Sequence, residues 1–293
     1  MDINEILNSI GLLIVNSDDI DDSVKNNDCD LLSDIKSLKY WIPNGFRTST
    51  GNEMDTRRNN TLDTNGTDQT KTCKYTYNSL GFRGDEITKP GFKVMSIGCS
   101  HTEGVGVNDN ETWPSIFSKK IPEGVDLNFG MGGRSNDYIA RALITFYDEI
   151  KPDLVMIMYT YPNRSEFYTK DGGIEPYSIN KWGYFANNRD GVKEHQYITQ
   201  LSNIELDLQN WYKNHLLIKY FLETKKCNWL WNGYMLDTNY TEYNRFDAGF
   251  GKYIDFGSDK IHNGPKHNQD YANKLYDHIC QLFPNWLTKT PNS

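Results

Sequence analysis

Residues with the chemistry of acyl transfer stand at two distant places in this chain: Ser100, and Asp259 with His262. Ser100 lies in Ser96-Ile97-Gly98-Cys99-Ser100-His101-Thr102-Glu103-Gly104. A serine in a tight glycine-flanked turn between strand and helix has its hydroxyl held at the rim of the sheet. Backbone N–H groups at the helix start can stabilise an oxyanion there. The spacing is not Gly-x-Ser-x-Gly, because Thr102 occupies the last position. The bland alternative is a phosphate-type or purely structural glycine turn. The second piece is Ser258-Asp259-Lys260-Ile261-His262-Asn263-Gly264-Pro265. An Asp three residues before a His can orient its imidazole and stabilise the imidazolium formed when His takes a serine proton. An isolated Asp-x-x-His is often incidental. Its weight here comes from its place in the α/β pattern that the serine opens.

That pattern is read from hydrophobic spacing. Lys93–Ile97 is a short, partly β-branched run ending at Gly98, which predicts a buried strand leading into a loop. Asp126–Phe129 predicts a second strand, followed by Gly130-Met131-Gly132-Gly133. Residues Asn136 to Ile150 carry helical periodicity through Ile139, Leu143, Ile144 and Tyr147. Leu154–Tyr159 is apolar throughout, as suits a parallel strand covered on both faces. Leu206–Thr224 predicts a helix and Asn228–Tyr234 a strand. A last helix is expected from about Pro265 to Phe283, with Tyr271, Leu275, Ile279 and Leu282 facing inward and proline in its first turn. Strands alternating with helices imply a three-layer α/β/α sandwich with a mainly parallel central sheet and helices on both faces. In such sheets ligands sit beyond the carboxyl ends of the strands, where these polar motifs fall.

With the motifs in this order, the chain resembles the SGNH (GDSL-like) hydrolase superfamily from about Asn78 to Leu282. The lead-in Asn78-Ser79-Leu80-Gly81-Phe82-Arg83-Gly84-Asp85-Glu86 is similar to the segment before the first block in many members. Gly98-Cys99-Ser100-His101-Thr102 stands where the family commonly has Gly-Asp-Ser, and Asn128 followed five residues later by Gly133 matches the second block. Asp259-Lys260-Ile261-His262 matches the fifth, with Ala272 in the helix that follows. The resemblance implies Ser100 as nucleophile, His262 as general base and then acid, and Asp259 as its orienter. Gly133 would donate to the oxyanion beside Ser100. Cys99 replaces the acidic residue of the first block, a residue that is not the family's nucleophile. The third block departs further. Where the family has Gly-x-Asn-Asp, this chain has Tyr159-Thr160-Tyr161-Pro162-Asn163-Arg164-Ser165-Glu166. Asn163 completes the oxyanion hole only if the turn at Pro162 is longer, and Thr160 is the competing donor. Arg164 with Glu166 either reads a polar substrate or forms an internal pair.

The remaining polar candidates have blander readings. His101 is expected to be a solvated loop residue and His267 a surface or packing residue. Trp229, Leu230, Trp231 and Tyr234 read as core strand rather than a sugar platform. His262 and His267 lack a third ligand nearby, so no metal site is expected, and no cofactor is called for.

Composition limits the partners. The chain has 293 residues and a net charge of −8, which disfavours nucleic acid and anionic membrane surfaces. Hydrophobic residues make up 37% and aromatics 13%, with 19 Tyr and 7 Trp. The mean hydropathy of −0.70 implies a polar surface. Five widely spaced cysteines (Cys29, Cys73, Cys99, Cys227, Cys280) contain no Cys-x-x-Cys and suit free thiols. Residues 1–74 are expected to be a polar extension, partly helical near Ile3–Ile10 and loop-like or disordered over Thr48–Thr72; residues 75–293 form the catalytic domain. Met1-Asp2-Ile3-Asn4-Glu5 lacks a basic n-region, and Ile10–Val15 is too short to span a membrane. A soluble protein, cytoplasmic by default, is expected. The substrate expected is a small acyl ester, acetyl first, or an acylated glycan. The alternatives are a sugar O-acyltransferase using the same site and a non-catalytic carbohydrate-binding module on the same fold.

Overall fold

The computed structural model describes residues 52–54, 73–168, 174–178, 204–233, 245–246, 254–258 and 262–287. Asp259, Tyr234 and the helix expected at Ile3–Ile10 lie outside them. The stretch expected to be a loop contains one strand, β1 (Asn52–Met54), which pairs antiparallel with β2 (Lys74–Thr76). Three residues show no periodicity to read. Cys73, Tyr75 and Tyr77 are buried together.

The central sheet is built from β3 (Arg83–Gly84), β4 (Phe92–Gly98), β5 (Gly124–Gly130), β6 (Leu154–Tyr159) and β9 (Asn228–Gly233). Its order is β3-β5-β4-β6-β9, parallel except for the short edge strand β3. The four parallel strands thus run 2-1-3-4 in chain order, the flavodoxin-like winding, and a single parallel bridge from Trp231 to Arg245 marks where a fifth would begin. The winding reverses between β4 and β6, so the crevice beyond their carboxyl ends is the topological switch point.

Side chains alternate across the sheet and sort into two cores. Met95, Ile97, Leu127, Phe129, Val155, Ile157, Trp229 and Trp231 pack against α3 (Asn136–Ile150) and α4 (Ile204–Thr224) on one face. Phe92, Val94, Leu154, Met156, Met158 and Leu230 meet α2 (Trp113–Ser118) and α5 (Pro265–Leu282) on the other. β6 is buried at every position, which is why it is apolar throughout. α3 starts at Ser135, whose Oγ accepts from the Tyr138 N–H, and stops at Lys151 in the left-handed conformation.

The last helix corrects one expectation. Tyr271, Leu275 and Ile279 are buried, but Leu282 is exposed and Phe283 takes the inward place. Phe283 lies four residues beyond Ile279 and continues its stripe. Trp229, Leu230 and Trp231 are core residues, as expected. The antiparallel pair β7 (Arg164–Tyr168) and β8 (Ile174–Ser178) has no counterpart in the sequence reading. Among the described residues no helix is long and apolar enough to cross a membrane.

Candidate active site

Ser100 opens α1 (Ser100–Glu103), one turn of helix started by Cys99 at the carboxyl end of β4. Cys99 is extended, and its carbonyl accepts from the N–H groups of Thr102 and Glu103. This geometry places Ser100 at the rim of the crevice. Gly130 lets the turn sit against the neighbouring strand, because any Cβ there would collide with the Thr102–Glu103 backbone. Asn128 fastens the same contact: its Nδ2 donates to the Thr102 carbonyl at 2.8 Å and its Oδ1 accepts from the Gly130 N–H at 2.9 Å.

His262 arrives from 162 positions away, and its Nε2 lies 2.8 Å from Ser100 Oγ. The loop that carries it is a small hairpin closed by a Phe256–Asn263 bridge and a Gly257 N–H bond to the His262 carbonyl. Ser258 N–H ties this hairpin to the Gly106 carbonyl at 2.7 Å, on the loop that follows α1. Asp255 anchors its base, accepting from the N–H groups of Lys266 and His267 in the first turn of α5. Both Asp255 oxygens are therefore engaged away from the imidazole.

His101 departs from the solvated residue expected. It is 8% exposed, with its ring centroid 4.9 Å from that of His262. Placement on α1 turns it toward His262 instead of into water. His267 is buried and accepts from the Ile254 N–H, a packing role.

The oxyanion candidates meet at two strand ends. Met131 N–H donates to the Gly98 carbonyl, drawing the loop after β5 toward Ser100. In that loop Gly132 N–H is taken by Glu103 Oε2 at 2.6 Å. Gly133 has φ +76°, open space where a Cβ would stand, and an N–H that donates to no other described residue. At the end of β6, the Thr160 N–H goes to Asn136 Oδ1 at 3.0 Å, which leaves its hydroxyl as the group without a partner among the described residues. Tyr161–Arg164 is a β-turn closed by an Arg164 N–H bond to the Tyr161 carbonyl, with Pro162 and Asn163 at its centre. Asn163 Oδ1 is buried without a partner among the described residues.

Arg164 and Glu166 do not pair. Glu166 forms a buried ion pair with Arg141, both carboxylate oxygens lying 2.9 Å from Nη2. Arg164 lies over the Tyr161 ring instead, 5.3 Å from its centroid. Burial raises Glu166 above the usual carboxylate range against the pull of Arg141.

Several positioning residues escaped the sequence reading. Arg83 Nη1 holds the Glu103 and Gly104 carbonyls at the end of α1, and Asn136 holds both backbone groups of Thr160. The only signal for Asn136 is its place beside Ser135 at a helix start. Asp255 has no local signal, since its helix begins ten residues later.

Fold and site together define an α/β protein of flavodoxin-like winding that holds a serine–histidine pair at its topological switch point. No protein-family model matches the chain, and no curated protein matches it. Similar solved structures include TesA, at 14% identity over 65% of this chain and 99% of that one, with a TM-score of 0.41. Another is the psychrotrophic esterase EstA from Pseudoalteromonas sp. inhibited by monoethylphosphonate, at 12% identity over 66% and 100%, TM-score 0.41. A carbohydrate acetylesterase family member from Sinorhizobium meliloti is similar at 12% identity over 66% and 99%, TM-score 0.31. The fold rests on the strand order, and the site on the Ser100–His262 contact.

Proposed function

We propose that this chain is an SGNH-type serine esterase that hydrolyses a small acyl ester through an acyl-serine intermediate. The observation that carries the reading is the 2.8 Å contact between His262 Nε2 and Ser100 Oγ, made across 162 positions of sequence at the switch point of the sheet. A nucleophile within hydrogen-bond reach of its base is the arrangement this chemistry needs.

Ser100 Oγ attacks the ester carbonyl carbon while its proton passes to His262 Nε2. The oxyanion is held by the N–H groups of Ser100 and Gly133 and by Asn163 as third donor. The tetrahedral adduct collapses, and His262 returns the proton to the departing alcohol. Water then attacks the acyl-serine with His262 as base, releasing the acid and restoring Ser100. Asp259, by its motif, orients the imidazole. Thr160 and Arg164, at the β6 end and the turn beyond it, contact the substrate.

An acetyl group on a carbohydrate is the substrate this reading favours. Trp113, Trp211, Trp229 and Trp231 are buried, so they supply no sugar platform. The carbohydrate part rests on the polar surface and the 19 Tyr and 7 Trp of the chain. The acyl-serine chemistry is tested by Ser100→Ala on a short-chain nitrophenyl ester. Hydrolysis is expected to fall to the level without protein, and unchanged turnover contradicts the assignment.

A further inference from the structure

A second polar cleft lies along the sheet edge, lined by none of Ser100, His262 or Gly133. Its volume is about 290 Å³, and it is bounded by β3, β5, α2 and the short 3-10 turn Asp109–Glu111. That is the low end of ligand-pocket sizes, ~300–1,000 Å³. Its floor is the α2-facing side of β5, where Gly124, Asp126 and Asn128 alternate.

Asp126 occupies a position whose β4 partner, Val94, is core. It is 8% exposed, and its Oδ1 is buried with no hydrogen-bond partner among the described residues. Beside it on the lining, Ser118 Oγ is also buried and without a partner among the described residues. The other lining acids are compensated. Asp109 is paired with Arg83 at 2.8 Å. Asp85 is paired with Lys89 at 2.8 Å and also accepts from the Asp126 N–H. Lys119 stands exposed at the rim. A buried carboxylate oxygen without a bonded partner is costly, so it marks a place where a ligand supplies the missing donor and charge. No aromatic ring lines the cleft, which leaves a sugar ring or a base nothing to stack on.

We propose that this cleft binds a small primary ammonium, an alkylamine or the end of a polyamine, whose N–H donors go to the Asp126 carboxylate and Ser118 Oγ. The ligand selects the ionised carboxylate. Burial and the neighbouring Asp85 lift Asp126 to about 7, while Arg83 and Lys119 pull it down and Asp109 adds to the lift. Lys89 is held by Asp85. The ionised fraction therefore falls as pH drops through about 7, and affinity falls with it.

Isothermal titration of the full chain with 1,4-diaminobutane tests this, with methyl glucoside as the neutral control and magnesium chloride as the metal control. Saturable binding of the diamine at pH 8 is expected, weaker by about tenfold or more at pH 5.5 and in Asp126→Asn. Ser118→Ala is expected to weaken it by a smaller factor. Absence of saturable binding overturns the proposal. So does equal affinity at the two pH values, or magnesium binding in place of the diamine. The pH series needs no variant, so it decides the question even if a substitution disturbs folding. Asp126→Asn is expected to keep full ester hydrolysis, which separates failure of this site from failure of the esterase reading.

Discussion

Arg83 Nη1 donates to the Gly104 carbonyl at 2.7 Å, joining the edge strand of the sheet to the residue that ends the Ser100 helix. The same guanidinium reaches the carbonyls of Glu103 and Val107 and the Asp109 carboxylate, and it is 2% exposed. Gly106, on which the His262 hairpin rests, lies inside the span so fixed. Arg83→Met is expected to lower stability by roughly 3 kcal/mol, because several charge-assisted bonds are lost at once. Arg83→Lys should recover little, since an ammonium cannot fork among these acceptors. Urea unfolding of both variants measures this; a loss below the error of the method would show that the loop holds its own shape.

Gly133 has a left-handed φ of +76° and free space on its Cβ side. Alanine there meets no steric wall, so the folding cost is the conformational one, about 1–2 kcal/mol. The turnover cost is expected to be larger, with kcat reduced by about tenfold or more as the N–H tilts from the oxyanion. KM should change little. A fall in KM-linked binding with kcat intact would remove Gly133 from the oxyanion hole.

Asn163 and Thr160 are separated by paired substitutions. Asn163→Ala is expected to lower kcat by roughly 10²-fold, the usual scale for one lost oxyanion donor. Thr160→Val keeps the backbone bond to Asn136 and should act mainly on KM. Steady-state kinetics on one ester gives both numbers, and the reverse pattern would exchange the two roles.

The alternation of strands and helices was legible because β4 and β6 carry apolar runs bounded by glycine or polar turns, and because α3 keeps its helical stripe from Asn136 to Ile150. The Ser100–His262 pair was legible because each residue sits next to such an element. What escaped is non-local. Arg141 pairs with Glu166 across 25 positions, and Asp255 caps a helix it does not adjoin. β3 and β1 are too short to show a period. Leu282 was placed one residue from the true inward position, where the helix ends and Phe283 turns in.

Asp126 gives a pH dependence whose sign follows from its direction. Its folded value is raised from 3.8 to about 7, so the folded state favours the protonated acid. That stabilisation is present at low pH and is lost as pH rises from about 4 through about 7, on the order of 4 kcal/mol in all. Asp126→Asn removes the loss. The variant is expected to be more stable than the parent at pH 8, with the gap closing toward pH 4. Urea unfolding across this range measures it, and a constant gap would mean that Asp126 does not titrate there.

The proposed mechanism stands on Ser100 as a nucleophile activated by His262. Intact-protein mass spectrometry after exposure to a fluorophosphonate reads this without knowledge of the natural substrate. A single adduct mapped to Ser100 is expected, absent in Ser100→Ala and slowed by at least about 10²-fold in His262→Ala. No adduct on the folded parent, or equal labelling of the Ser100→Ala variant, would contradict it.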